Sequence, residues 1–221
     1  MCIRYDVENQ ELIAWSYLIR AWIPEGDWLQ GLDTFPGYVA PILTPDWSDK
    51  GRPRKIQPAQ WGLMPEWANE KMPKPLHARN DNLARSAMFR NALRNGRCVV
   101  PISGFYEQKD GRWVRFSGDK MLTVAAVSEP PSLRCQLSTY SLVTAEPNDV
   151  VGPYQDRMVV ILHPEDIETW LAPETPIDRL LELCAPCPND WLSAQDTGPN
   201  SRKAKPPKKA KERENLQGTL F

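Results

Sequence analysis

Residues 98–127 read CVVPISGFYEQKDGRWVRFSGDKMLTVAAV. Cys98 to Ile102 is a short apolar run of the length of a buried strand. Phe105 to Gln108 and Trp113 to Phe116 flank Lys109-Asp110-Gly111-Arg112, a polar, glycine-containing connection that closes a β-hairpin. Met121 to Val127 continues as a further strand. Outward from this stretch, residues 56–63 read as a strand ending in Trp61-Gly62, Tyr140 to Thr144 reads as a further strand, and Met158 to Leu162 is an apolar run in the same style. Helical spacing places Leu12, Trp15, Leu18, Ile19 and Trp22 on a helix from Glu11 to Trp22. A second helix covers 83–95, with Asn80 or Asn82 capping its start and Gly96 ending it. Pro164 opens a third, with Ile167, Trp170 and Leu171, and residues 176–183 form a fourth. Residues 24–55 are rich in Pro, Gly and Asp and read as loop, including Tyr38-Val39-Ala40-Pro41. Hairpin-linked strands with few helices predict an α+β fold: a mainly antiparallel, twisted, barrel-like sheet flanked by short helices, with a disordered C-terminal tail.

The chain has 221 residues, 41% of them hydrophobic and 25% charged. That suits one domain, expected over 1–193, and an appendage over 194–221. The formal net charge of −1 hides an asymmetry. Residues 199–221 carry seven Lys/Arg against two Glu, whereas residues 1–198 carry 20 basic and 26 acidic side chains. From Ala194 the chain turns polar and then Lys/Pro-rich without periodicity, the composition of disorder. No run approaches the ~20 apolar residues of a membrane span, and Met1-Cys2-Ile3-Arg4 has no signal-peptide pattern. The expected setting is cytoplasmic, and the five irregularly spaced cysteines fit reduced thiols. Cys184-Ala-Pro-Cys187 is a CxxC without the second ligand pair that zinc needs. It reads as two structural cysteines, and neither a metal nor a cofactor is expected.

Cys2 stands out by position. Loss of Met1 would expose an α-amine with pKa near ~8 beside a thiol near ~8.5. This 1,2-aminothiol can attack an aldehyde twice: the amine forms a Schiff base and the thiol closes it to a thiazolidine. Between residues 77 and 97, Arg79, Arg85, Arg90, Arg94 and Arg97 stand against Asp81 alone. Helical spacing puts Arg90, Arg94 and Arg97 on one face, suited to phosphates or simply to solvent.

Met1-Cys2-x-Arg4-Tyr5, Tyr38-Val39-Ala40-Pro41, Trp61-Gly62-Leu63-Met64-Pro65-Glu66-Trp67, Ala78-Arg79-Asn80-Asp81, Gly104-Phe105-Tyr106-Glu107 and Asp156-Arg157-Met158 occur in that order. Together they resemble the SRAP family, the SOS-response-associated peptidases or abasic-site-processing proteins, over residues 2 to about 192. The resemblance implies recognition of abasic sites in single-stranded DNA and a thiazolidine crosslink that protects the lesion in the DNA damage response. It also implies autocatalytic, peptidase-like removal of Met1 and lyase-like chemistry. By carry-over, Cys2 is the nucleophile and Glu107 the general acid/base. Arg79 would hold a phosphate, with Arg4 as a second candidate. Trp67, Pro41 and Phe105 would line the bent strand, and Asp81 and Arg157 complete the DNA-binding set. The implied molecule is a monomer of bacterial or phage origin, associated with the nucleoid.

The chain departs from the family pattern. His77 stands where the family has asparagine, and Gln155 where it has the histidine credited with proton transfer. Ile3 replaces glycine, Asp81 a glutamate and Gln108 a tryptophan. Gln155 can hydrogen-bond but cannot titrate; His77 can supply an imidazole from the other side of the pocket. A competing reading is a non-catalytic single-stranded DNA-binding adaptor recruited to the replication clamp. A conventional cysteine peptidase acting in trans lacks a recognisable Cys/His signature. Gln217-Gly218-Thr219-Leu220-Phe221 resembles the QxxLF peptide that docks in the bacterial sliding clamp, with Gln217, Leu220 and Phe221 as its contacts.

Overall fold

The computed structural model describes residues 2–23, 32–46, 54–69 and 71–199. Met1, the basic tail from residue 200 and the clamp-like Gln217, Leu220 and Phe221 lie outside the described residues. The strands are β1 Arg4–Val7, β2 Ala21–Trp22, β3 Leu32–Thr34, β4 Val39–Pro45, β5 Arg54–Trp61, β6 His77–Arg79, β7 Arg97–Ile102, β8 Gly104–Lys109, β9 Arg112–Ser117, β10 Leu122–Glu129, β11 Ser138–Ala145, β12 Met158–Val159 and β13 Ser193–Pro199. The helices are α1 Asn9–Leu18, α2 Asn80–Leu83, α3 Arg90–Asn95, α4 Asp166–Leu171 and α5 Ile177–Glu182.

Strands β4, β5, β11, β10 and β7 pair in a ring, closed by parallel β5–β11 pairing and by Leu43 against Val99. This is a closed five-stranded barrel within a mainly antiparallel α+β fold. β7, β10 and β11 are buried at every position. One side of each faces the barrel interior and the other is covered, so β7 and the centre of β10 read as apolar runs, whereas β11 also buries Ser138, Thr139, Ser141 and Thr144. A second antiparallel sheet, in the order β13-β9-β8-β1-β3, grows from the chain just after β7. The β8–β9 hairpin forms as expected across Asp110 and Gly111, both with positive φ.

Several expectations change. The stretch 24–55 contains β3 and β4, and Ala40, Ile42 and Leu43 are fully buried. Prolines 41 and 45 mask this in sequence, because proline cannot donate to a ladder. Here Pro41 sits opposite Pro58 of β5, and β4 meets β7 at a single register pair. The helix expected over 11–22 ends at Leu18, and Arg20 turns the chain at φ 55°. Leu18 is 74% exposed and Trp22 lies in β2. The helix expected over 83–95 is two short ones, α2 and α3. Between them Ser86 Oγ accepts the Met88 amide at 3.2 Å, a local bond that competes with the helix. Gly96 does end α3, and it does so by close approach: a Cβ there would lie 2.0 Å from the Ser128 carbonyl oxygen. Ser193–Pro199 forms an ordered edge strand against β9 although the polar tail was expected from 194. Its side chains are mostly exposed, so backbone bonds rather than apolar burial hold it. Among the described residues no helix is long and apolar enough to cross a membrane.

Candidate active site around Cys2

β1 and β8 run antiparallel with Arg4 opposite Tyr106 and Tyr5 opposite Phe105. Extending that register sets Ile3, just before β1, opposite Glu107 at the end of the buried part of β8, and the neighbouring Cys2 lies close enough to Glu107 for its charge to act on the thiol. Cys2 is 2% exposed, and its Sγ donates to the Arg4 carbonyl at 3.3 Å. Burial, followed by the negative charge of Glu107, pushes the thiol up to about 12. Glu107 is buried too, and burial holds its carboxyl above the ordinary glutamate range. Gln155 Nε2 donates to Glu107 Oε2 at 3.4 Å, which favours the carboxylate and opposes that rise.

His77 enters from the barrel side, on β6, which pairs parallel with β11 at Leu142. Burial lowers its imidazole from 6.5 to about 4, against an opposing bond to the Cys2 backbone. At neutral pH the ring is uncharged and keeps a lone pair. Trp61 forms the floor: its ring meets His77 edge-on at 6.0 Å and Tyr5 at 5.1 Å. Its Nε1 donates to the Leu76 carbonyl at 3.1 Å, tying the floor to the residue before His77. Beneath it the hydroxyls of Tyr5 and Tyr140 bond to each other in the core. Cys2, Glu107, His77 and Gln155 thus converge on one buried spot from four segments. Trp61 and Tyr5 occur in the quoted motifs, but their part as floor needs the barrel.

The residues expected to touch DNA divide. Trp67 is 56% exposed in a turn after β5. Arg79 and Asp81 are exposed and paired, Nη2 to Oδ2 at 2.6 Å. Their mutual bonds raise the arginine and lower the aspartate. Such surface pairs contribute little stability, so Arg79 can exchange its partner for a phosphate. Arg4 is bonded to Asp33 at 2.7 and 3.1 Å and stacked over Tyr106 at 4.1 Å, so most of its surface is already used. Phe105, Pro41 and Arg157 are placed differently from expectation. Phe105 is fully buried and stacks on Phe116 at 5.1 Å, so its ring serves the core rather than a base. Pro41 is buried in β4 of the barrel. Arg157 is buried and bonded to Thr144, Asn80 and Glu146. Arg90 and Arg94 are exposed on α3, but Arg97 leaves that face. It begins β7, is 5% exposed, and donates to the carbonyls of Leu93, Arg94, Trp170 and Ala172.

Cys184 and Cys187 are buried, and burial pushes their thiols to about 12 and about 11. Their carbonyls accept the side-chain amides of Asn80 and Asn148 at 3.0 and 3.1 Å. The CxxC segment is therefore a backbone bracket for two asparagines. Among the described residues no group of three or more His, Cys, Asp or Glu is arranged to hold a metal ion.

A family profile described as SOS response associated peptidase (SRAP) matches residues 1–200. The abasic site processing protein YoqW of Bacillus subtilis is 28% identical over 207 residues, covering 88% of this chain and 91% of that protein. The abasic site processing protein HMCES of Xenopus tropicalis is 28% identical over 170 residues, 62% of this chain and 51% of its own length. A crystal structure of a Bordetella bronchiseptica protein superposes with a TM-score of 0.74 at 20% identity, covering 88% of this chain and 99% of that one.

Proposed function

The chain belongs to the SOS response associated peptidase (SRAP) family, and on that premise we propose that it processes abasic sites in single-stranded DNA by covalent capture through Cys2. The names of its relatives support the lesion. The observation that carries the chemistry is the meeting of a buried thiol, a buried carboxyl and a neutral imidazole at Cys2.

Removal of Met1, a peptidase-like step assigned to the same carboxyl, frees the Cys2 amine. The amine adds to the ring-opened C1′ aldehyde. Glu107, whose proton burial holds more tightly than in an exposed glutamate, donates it to the departing hydroxyl, and water leaves as the imine forms. Cys2 Sγ then bonds to the imine carbon, while its proton passes to the nitrogen through Glu107 or His77. Aldehyde and aminothiol become thiazolidine and one water. A thiol pushed up to about 12 is neutral at first, so the proton must leave as the C–S bond forms. Gln155 orients Glu107 but exchanges no proton, so reversal is slower here than where a histidine fills that position. Arg79 takes a backbone phosphate and Trp67 stacks on a neighbouring base.

Intact-mass measurement of the purified full chain tests this. The expected result is loss of Met1 and a mass increase with an abasic single-stranded oligonucleotide, with no adduct from Cys2→Ala. Retained Met1 together with no adduct sinks the reading. For the tail, the QxxLF-like residues Gln217, Leu220 and Phe221 support recruitment to the bacterial sliding clamp. Retention of the chain on immobilised clamp should be lost when Leu220 and Phe221 are both changed to alanine; undiminished retention sinks that docking mode.

A further inference from the structure

Arg157 lies where the two arms of the site come together. Its side chain is 7% exposed. Nη2 donates to the Thr144 carbonyl at 2.7 Å and to Asn80 Oδ1 at 2.8 Å, and Nη1 donates to Glu146 Oε1 at 3.1 Å. Nε is buried as well. Asn80 in turn donates through Nδ2 to the Cys184 carbonyl at 3.0 Å, and its Oδ1 also accepts the Asp81 amide at 2.9 Å.

The sequence positions give this network its meaning. Asn80 directly follows β6, the strand that carries His77 and Arg79. Arg157 lies two residues after Gln155, whose amide reaches Glu107. Both arms already border β11: β6 pairs at Leu142, Val143 and Thr144, and β12, which follows Arg157, pairs at Thr144 and Ala145. Three-residue and two-residue strands are held by few ladder bonds, so their ends need a further tie. A planar guanidinium with several fixed donors can bond both ends at once, and a lysine cannot reproduce that fork.

We infer that Arg157 and Asn80 form a buried clamp that sets the spacing between the His77 arm and the Gln155–Glu107 arm, and that Arg157 is a positioning residue rather than a phosphate contact. The effect on catalysis rests on the crosslinking reading above; the effect on His77 does not. A misplacement of about 1 Å at reacting groups can cost on the order of 100-fold in rate.

The test uses the full chain, wild type, Arg157→Gln and Asn80→Ala. Binding to an undamaged single-stranded oligonucleotide is measured across a salt series. Crosslinking is followed in single turnover at saturating abasic oligonucleotide, with rate constant and amplitude fitted separately. Both variants should keep wild-type affinity within about twofold and the wild-type salt slope. Their rate constants should fall ~10-fold or more at full amplitude, whereas a fraction of unfolded protein would lower the amplitude instead. A phosphate contact would make the salt slope of Arg157→Gln shallower by about 0.7 and leave the saturated rate constant unchanged, which overturns the inference. If Arg157→Gln does not fold, Asn80→Ala decides, and an unchanged rate constant there overturns it.

A readout free of DNA chemistry separates this clamp from the proposed function. The chain has two histidines, so the ring resonances of His77 can be followed in Asn80→Ala with His163 as internal reference. Displaced His77 resonances with unmoved His163 support the clamp even if the wild type forms no adduct. Unmoved His77 resonances overturn it.

Discussion

Glu107→Gln should slow adduct formation by about 10²- to 10⁴-fold, the usual contribution of a positioned acid/base, while binding to undamaged single-stranded DNA stays unchanged. The carboxyl is buried against Cys2, and Gln155 reaches one of its oxygens. Glutamine keeps the volume and the hydrogen-bonding capacity but can neither give nor take a proton. The pH profile carries a second signature. In the wild type the rate rises as the Cys2 amine loses its proton, toward ~8, and falls as Glu107 loses the proton it donates. Glu107→Gln should retain the rising limb and lose the falling one.

Stability should move the opposite way. Burial raises the folded-state pKa of Glu107, so the folded protein binds its proton more tightly than the unfolded chain. Stability from this group is fully present below the unfolded pKa and is lost as pH rises through the folded one. At pH 8 Glu107→Gln should therefore melt at a higher temperature than the wild type. A lower melting temperature together with an unchanged rate would remove Glu107 from its assigned part. His77 has the reverse linkage. Its pKa is lowered from 6.5 to about 4, so its contribution is present above ~6.5 and fades as pH falls through about 4. That amounts to about 3 kcal/mol at most. In a denaturation series from pH 7 to pH 4, His77→Asn should lose less stability than the wild type.

Arg97→Met is expected to cost on the order of 3–5 kcal/mol of folding stability without weakening DNA binding. The guanidinium satisfies the carbonyls of Leu93 and Arg94 at the end of α3 and those of Trp170 and Ala172 around the end of α4, at 2.6–3.0 Å. Methionine fills the volume and leaves these acceptors without donors; each buried unsatisfied group costs about 1–3 kcal/mol, offset where water reaches it. Chemical denaturation reads the loss, and the salt dependence of DNA binding reads the absence of a phosphate contact. A stability change below about 1 kcal/mol with a shallower salt slope would return Arg97 to the DNA-facing set.

The central strands and the β8–β9 hairpin were legible because their pattern is local: apolar runs of strand length punctuated by glycine and polar turns. β4 was not, because two prolines signal a loop and only the ring of partners makes that segment a strand. β13 was not, because an exposed edge strand needs no apolar side chains. Cys2 was legible from covalent chemistry alone, since an aminothiol requires only the position after Met1. Glu107, His77 and Gln155 were legible through ordered motifs, although the shifted titrations of Glu107 and His77 depend on burial that no spacing reveals.

The arginines mark the boundary most clearly. In sequence Arg79, Arg97 and Arg157 are alike, three basic residues in or near motifs. The fold leaves Arg79 exposed beside Asp81, seals Arg97 among four carbonyls, and seals Arg157 between two arms of the site. Phe105 divides from Trp67 in the same way, one in the core and one at the surface. By itself the sequence determined the strand-rich class, the acidic body with a basic tail, and the position of the candidate aminothiol, because each follows from composition, period or covalent position. Only the tertiary structure decided which charged and aromatic side chains remain free to meet a ligand. That depends on desolvation and on partners brought from distant parts of the chain.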